Sequence, residues 1–166
     1  FTHNNGTIVF APFSAATQTI TTNNATFFNA TFSAIDSSAG VTTFADNFVV
    51  TNTLTVQKAS GSSTRTYTGA GTIIQAQGNV VVTNTAAGAA TFGNTTTTLK
   101  LTGTANQTIW RSGATFTPQI VVAKTNGTVT LSGSVTLAAS TDLIMTGGML
   151  NLNGNNLTVG RNFVVG

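Results

Sequence analysis

The sequence predicts an all-β fold, and three observations carry that prediction. Thr, Asn and Gly dominate the 166 residues, with 36, 17 and 17 copies. Thr suits a pleated strand because its β-branch is stiff, while Asn and Gly suit the tight turns between strands. Apolar residues alternate with polar ones in short segments along the whole chain. Nowhere do they recur at the sustained period of about 3.6 residues that marks an amphipathic helix.

The individual segments follow from this alternation. Leu99 and Leu101 are expected to point inward within 96–102, as are Leu131 and Leu137 in the two segments that follow. Leu150 with Leu152, Leu157 with Val159, and Phe163 with Val165 continue the series. Turn residues separate the segments, among them Asn5-Gly6, Asn126-Gly127, Gly147-Gly148 and Gly154. Regular short strands without long linkers suit a sandwich, a barrel or a solenoid. The stretch from Ala59 to Gly93 follows the rhythm least well.

An internal repeat favours the solenoid. Gln18-Thr19-Ile20 recurs as Gln107-Thr108-Ile109, Ala25-Thr26-Phe27 as Ala114-Thr115-Phe116, and Leu54 matches Leu143 at the same offset. Two related halves, about 7–58 and 96–146, therefore stand within one expected domain, 1–166. Repeated supersecondary units bury their apolar faces only against their neighbours, which is the signature of a stacked array. Coils of about 20 to 25 residues would give about seven turns. At about 4.8 Å per coil, the stack would be about 35 Å tall. A β-sandwich or jelly roll, as in a pilin-like subunit, is the alternative fold.

Charge narrows the function classes. Charged residues make up 5% of the chain, against about 25% in ordinary globular domains. The net charge of +3 rests on Lys58, Arg65, Lys100, Arg111, Lys124 and Arg161, which form no cluster in sequence. The basic footprint of a nucleic-acid binder is missing. Without Cys there is neither a disulfide framework nor a thiolate metal site. No apolar run approaches the roughly 18 residues a membrane helix needs. The chain opens at Phe1 rather than Met, so a processed product or a segment of a longer array is expected.

Phe1-Thr2-His3-Asn4-Asn5-Gly6-Thr7, Asn106-Gln107-Thr108-Ile109, Gly127 to Ser132 and the run from Leu150 to Gly160 resemble the Thr/Asn/Gly-rich repeats of large prokaryotic surface proteins of the adhesin and filamentous-haemagglutinin type. The resemblance implies a right-handed parallel β-helix with an extracellular or cell-surface location. It also implies a structural or adhesive role, with surface glycans as a possible class of partner.

Catalytic chemistry is not expected. Asp36, Asp46 and Asp142 are the only carboxylates and His3 is the only histidine. Acid–base or nucleophilic catalysis needs such groups to converge, whereas a lone Asp more often shapes a turn. No catalytic, cofactor or metal site is therefore assigned. Arg111 and Arg161 are expected at solvated turns, and Tyr67 and Trp110 are expected to pack, although either ring could stack on a sugar. Thr-x-Thr pairs at Thr19/Thr21, Thr53/Thr55, Thr66/Thr68 and Thr128/Thr130 would suggest ice binding if they shared a flat solenoid face, but a Thr-rich chain produces such pairs by chance. Asn-x-Thr glycosylation acceptor patterns occur at Asn5, Asn24, Asn29, Asn94, Asn106, Asn126 and Asn156. Neither terminal region carries a polar or helical cap, so head-to-tail self-association is expected through Phe1, Phe10, Phe163 and Val165.

Overall fold

A computed structural model describes residues 4–12, 16–34 and 39–166. Among them are seventeen strands and no helix, wound into a β-solenoid of about six turns. Every strand pairing is parallel. This excludes the sandwich, whose facing sheets are antiparallel.

Each turn of the solenoid crosses three faces. Face I stacks 26–27, 48–50, Ile73–Ala76, Thr98–Leu101, 119–122, 143–145 and Phe163–Val165. Face II stacks Thr7–Phe10, 29–34, 53–58, Asn79–Asn84, Gln107–Ser112, 128–131 and 149–151. Face III stacks Gln18–Ile20, Gly40–Phe44, Arg65–Gly69, Ala90–Phe92 and Thr115–Phe116. Val135–Thr136 pairs Leu157–Thr158 in a separate two-stranded sheet beyond it. Four long strands, Thr26–Ala34, Phe48–Lys58, Gln119–Leu131 and Leu143–Asn151, carry the chain round the corner from face I to face II.

The turn count is lower than expected because coil length varies. On face II the register partners Val129 and Leu150 lie 21 residues apart (150 − 129), whereas Val80 and Ile109 lie 29 apart (109 − 80). The additional residues sit at corners and never enter the ladder. This variation also changes the meaning of the internal repeat. Gln18–Ile20 lies on face III, but Gln107-Thr108-Ile109 lies on face II. Thr26-Phe27 pairs on face I, whereas Thr115–Phe116 pairs on face III. The matched segments are one face out of step, so the repeating structural unit is the single coil.

Inward positions fill one continuous core. Leu99, Leu101, Leu131 and Leu137 are buried as expected, and Leu150, Leu157 and Val159 pack partly against the core. Leu152 is 40% exposed, because no further coil covers it among the described residues. The early coils are filled with aromatics. Phe10 stacks on Phe32 at 4.9 Å, Phe32 meets Phe44 edge-on at 4.8 Å, and Phe44 meets Phe48 at 5.3 Å. Such pairs add about 0.5–1.5 kcal/mol each beyond the area they bury.

The stretch from Ala59 to Gly93, irregular in sequence, supplies a complete coil. Its rhythm is obscured because buried positions hold Arg65 and Thr72 instead of aliphatic residues.

Threonine and asparagine fasten coil to coil. At the corner between faces III and I, hydroxyls reach back one turn to carbonyls. Thr72 donates to Phe44 O at 3.0 Å, Thr97 to Gly69 O at 3.1 Å, and Thr117 to Gly93 O at 3.0 Å. At the corner between faces I and II, Asn52 Nδ2 donates to Asn29 Oδ1 at 2.8 Å, and Asn29 Nδ2 to Thr7 Oγ1 at 3.1 Å. One coil later this ladder meets Gly78, where a Cβ would lie 1.7 Å from Asn52 O. Only glycine allows the backbones to approach so closely.

Candidate functional site

The carboxylates are turn fasteners. Asn23 and Asn24 adopt left-handed backbone conformations (φ 55° each), which turns successive N–H groups toward one point and favours an anion there. Asp46 of the next coil supplies it, accepting from Thr22 N at 2.8 Å, Thr22 Oγ1 at 2.9 Å and Asn24 N at 3.1 Å. Burial pushes its carboxyl up, but the hydrogen bonds from Thr22 and Asn24 prevail and hold it below the usual range.

Asp142 plays a related part four coils further on. Arg161 grips it in a fork, Nε to Oδ1 at 2.8 Å and Nη2 to Oδ2 at 2.6 Å, and Asn162 N adds a bond at 3.1 Å. The Arg161 hydrogen bonds lower the carboxyl to about 2, against the cost of burial. Asp46 and Asp142 lie on different coils at the same corner, just before the face I strands. Asp36 and His3 lie outside the described residues. Among the described residues, no three His, Cys, Asp or Glu side chains gather into a metal-binding group.

The cations differ in burial. Lys58, Arg65 and Lys124 are buried, at 0%, 0% and 3% exposure. Lys124 Nζ donates to Thr102 O at 3.2 Å, Ala105 O at 2.7 Å and Gln107 Oε1 at 2.8 Å. Gln107 Nε2 in turn reaches Ala76 O and Gly78 O, at 2.9 and 2.8 Å. This polar chain spans three coils at the corner between faces I and II, where Ala76 O also accepts from Thr102 N at 2.9 Å. Burial holds the Lys124 ammonium below the ordinary lysine range. Gly148 closes over it, since a Cβ there would lie 2.8 Å from Lys124 Cβ. A lone Lys in a Thr-rich stretch gives no sequence signal for burial. Arg111 is not simply solvated either: it donates to Ala114 O at 2.6 Å and to Ser134 O at 3.0 Å.

The two aromatic candidates part company. Tyr67 is buried in the core, as expected. Trp110 does not pack: it is 47% exposed on the outer side of face II, beside Asn79, Val81, Thr108 and Ser132. The alternation that buries Ile109 turns Trp110 outward.

Of the four proposed assembly residues, Phe1 lies outside the described residues. Phe10 is partly buried against Phe32 and borders a shallow groove with Pro12, Gln18 and Ile20 at the first coil. Phe163 and Val165 are exposed at the other end, at 58% and 71%. Phe163 joins Leu143, Met145, Leu150, Leu152 and Leu157 around an open apolar hollow. No helix among the described residues is long and apolar enough to cross a membrane. No family model matches the chain, and neither curated proteins nor solved structures give a match.

Proposed function

We propose that the chain is a structural segment of an extracellular or cell-surface protein, in which the solenoid is extended by end-to-end β-stacking. The observation that carries this reading is the apolar hollow at the last coil. Inward Leu150, Leu157 and Phe163 are uncovered there, whereas inward residues one or more coils deeper, such as Leu54, Val80 and Ile109, are at most 1% exposed. A parallel coil laid on this surface would complete its ladder and its core together. The covering coil can come from the same polypeptide or from a copy. Scarcity of charge favours such stacking, because closely apposed coils then repel little. The likeness to repeats of large surface proteins supports the location, and the inter-coil hydrogen bonds support a mechanical role without catalysis.

Sedimentation velocity on the 166-residue chain tests this. The expected result is concentration-dependent growth, abolished by Leu157→Asp with Phe163→Asp. A monomer at all concentrations would overturn the reading.

A second reading, an adhesin segment that binds glycans, is favoured by Trp110. An exposed indole beside Asn79, Thr108 and Ser132 offers the apolar platform and neutral polar groups that sugars use. Trp110 is the only tryptophan in the chain, so its fluorescence reports on this place alone. Quenching or a blue shift on titration with a neutral oligosaccharide, lost in Trp110→Ala on a glycan array, supports this reading. Unchanged fluorescence across a broad glycan panel removes it.

A further inference from the structure

We infer that face III is an ice-binding surface, a plane whose ligand is crystalline water. The strands of this face alternate strictly. Thr42, Phe44, Tyr67, Phe92 and Phe116 point into the core, and the residues between them point out. The outward residues stand in register columns. One column runs Val41, Thr66, Thr91, Thr115, and beside it stand Thr19, Thr43 and Thr68. The Thr68 hydroxyl is buried without a hydrogen-bond partner and so is not one of the surface nodes. Gly93 interrupts the second column after it.

The array differs in composition from the outward columns of the other faces. The corresponding outward column on face I reads Val49, Gln75, Lys100, Val121. On face II it reads Thr31, Thr55, Val81, Trp110, and the column beside it alternates Thr with Asn, as Thr7, Asn29, Thr53, Asn79, Thr108, Thr130. The Thr-x-Thr pairs seen in the sequence do not compose it. Thr53/Thr55 and Thr128/Thr130 lie on face II, Thr21 falls beyond its strand, and only Thr66/Thr68 spans both columns.

Geometry sets what such a surface can recognise. Columns repeat about every 4.8 Å along the stack, and outward residues about every 6.6 Å along a strand, twice the rise per residue. Pairing within face III shows no register shift, and the shifts elsewhere fall at the corner between faces I and II. The β-branch of Thr fixes its methyl and hydroxyl against the strand. The result is a rigid net of weak hydrogen-bonding nodes. A single solute would meet one or two of them, but a ligand periodic in two dimensions can meet all at once and gains affinity from their number.

The chemistry of the nodes selects among periodic ligands. No charged side chain stands in either column, which disfavours a mineral lattice and avoids a strongly hydrated group that would disrupt ordered water. No outward aromatic stands in them either, which disfavours crystalline polysaccharide, and the exposed Trp110 faces another way. Threonine hydroxyls can donate to and accept from water, while the methyls between them exclude disordered solvent. The array lies within one chain, so the inference does not depend on end-to-end stacking.

The test uses the purified chain in an ice-affinity partition and an ice-recrystallisation assay. The expected result is enrichment in the ice fraction and arrested recrystallisation, both lost in Thr66→Tyr/Thr91→Tyr and retained in the face II control Thr53→Tyr/Thr55→Tyr. Should the first variant fail to fold by circular dichroism, Thr115→Tyr, at an exposed position, takes its place with the same expectation. Exclusion of the native chain from ice overturns the inference. So does equal loss in the face II control, or binding to crystalline cellulose without binding to ice.

Discussion

The middle coils and the last coil are written in the same residue types, yet they bury them very differently. Leu54, Val80 and Ile109 take inward positions in their strands just as Leu150, Leu157 and Phe163 do. The first three are sealed, and the last three open on the hollow at the end of the stack. Inward direction is a property of the strand, whereas burial is a property of the coil above. A solenoid core is completed only by the next turn.

This comparison predicts unequal costs for equal truncations. Phe32→Ala removes a fully buried ring stacked on Phe10 and meeting Phe44, and it should cost about 3–5 kcal/mol. Phe163→Ala at the open end should cost no more than about 0.5 kcal/mol in a dilute, unassembled sample. Urea denaturation of both variants measures the contrast, and comparable costs would mean that the end is already covered.

Close approach between coils gives a second contrast. Gly78→Ala places a methyl against Asn52 O and should destabilise by about 1–3 kcal/mol, the cost of overpacking. Ala substituted at Gln75, which points outward on face I three residues earlier on the same coil, should stay within about 0.5 kcal/mol. Thermal melts of both variants decide whether the corner is as tight as described.

The smallest expected effect is electrostatic and lies near the open end. The Asp142 carboxyl is lowered by Arg161 from an ordinary 3.8 to about 2 in the folded chain. A depressed folded value means that the carboxylate stabilises fully above the unfolded value, and that this contribution is lost as pH falls through the folded one. The melting temperature should therefore decline between about pH 5 and pH 2. Asp142→Asn should flatten part of that decline, and because Arg161 is half exposed the change should be small. An unchanged slope would remove the pair from the account.

Much of the fold was legible in the sequence because alternation is local. Leu99, Leu101, Leu131 and Leu137 could be placed inward from their immediate neighbours. What depends on the next turn was not legible. The loops that lengthen one coil to 29 residues hide the register, so a repeat offset matched strands on different faces and the count of turns came out high. The burial of Lys124 answers carbonyls supplied by another coil, and nothing near Lys58, Arg65 or Lys124 in sequence announces that they are buried. Trp110 was misplaced for a different reason: its outward direction follows from Ile109 beside it, but the large apolar ring argued for packing. The Thr columns did leave a signal, in the spacing of 24 to 25 residues from Val41 through Thr66 and Thr91 to Thr115. Short Thr-x-Thr pairs drew attention away from it.

The central claim, that the uncovered coil extends the solenoid end to end, is tested most directly by fibre diffraction from concentrated, aligned material. Continued stacking predicts a sharp reflection near 4.8 Å along the fibre axis, since every coil then lies across that axis. The same reflection perpendicular to the axis, from solenoids associated side by side, would contradict the account, as would material that remains monomeric and forms no fibres.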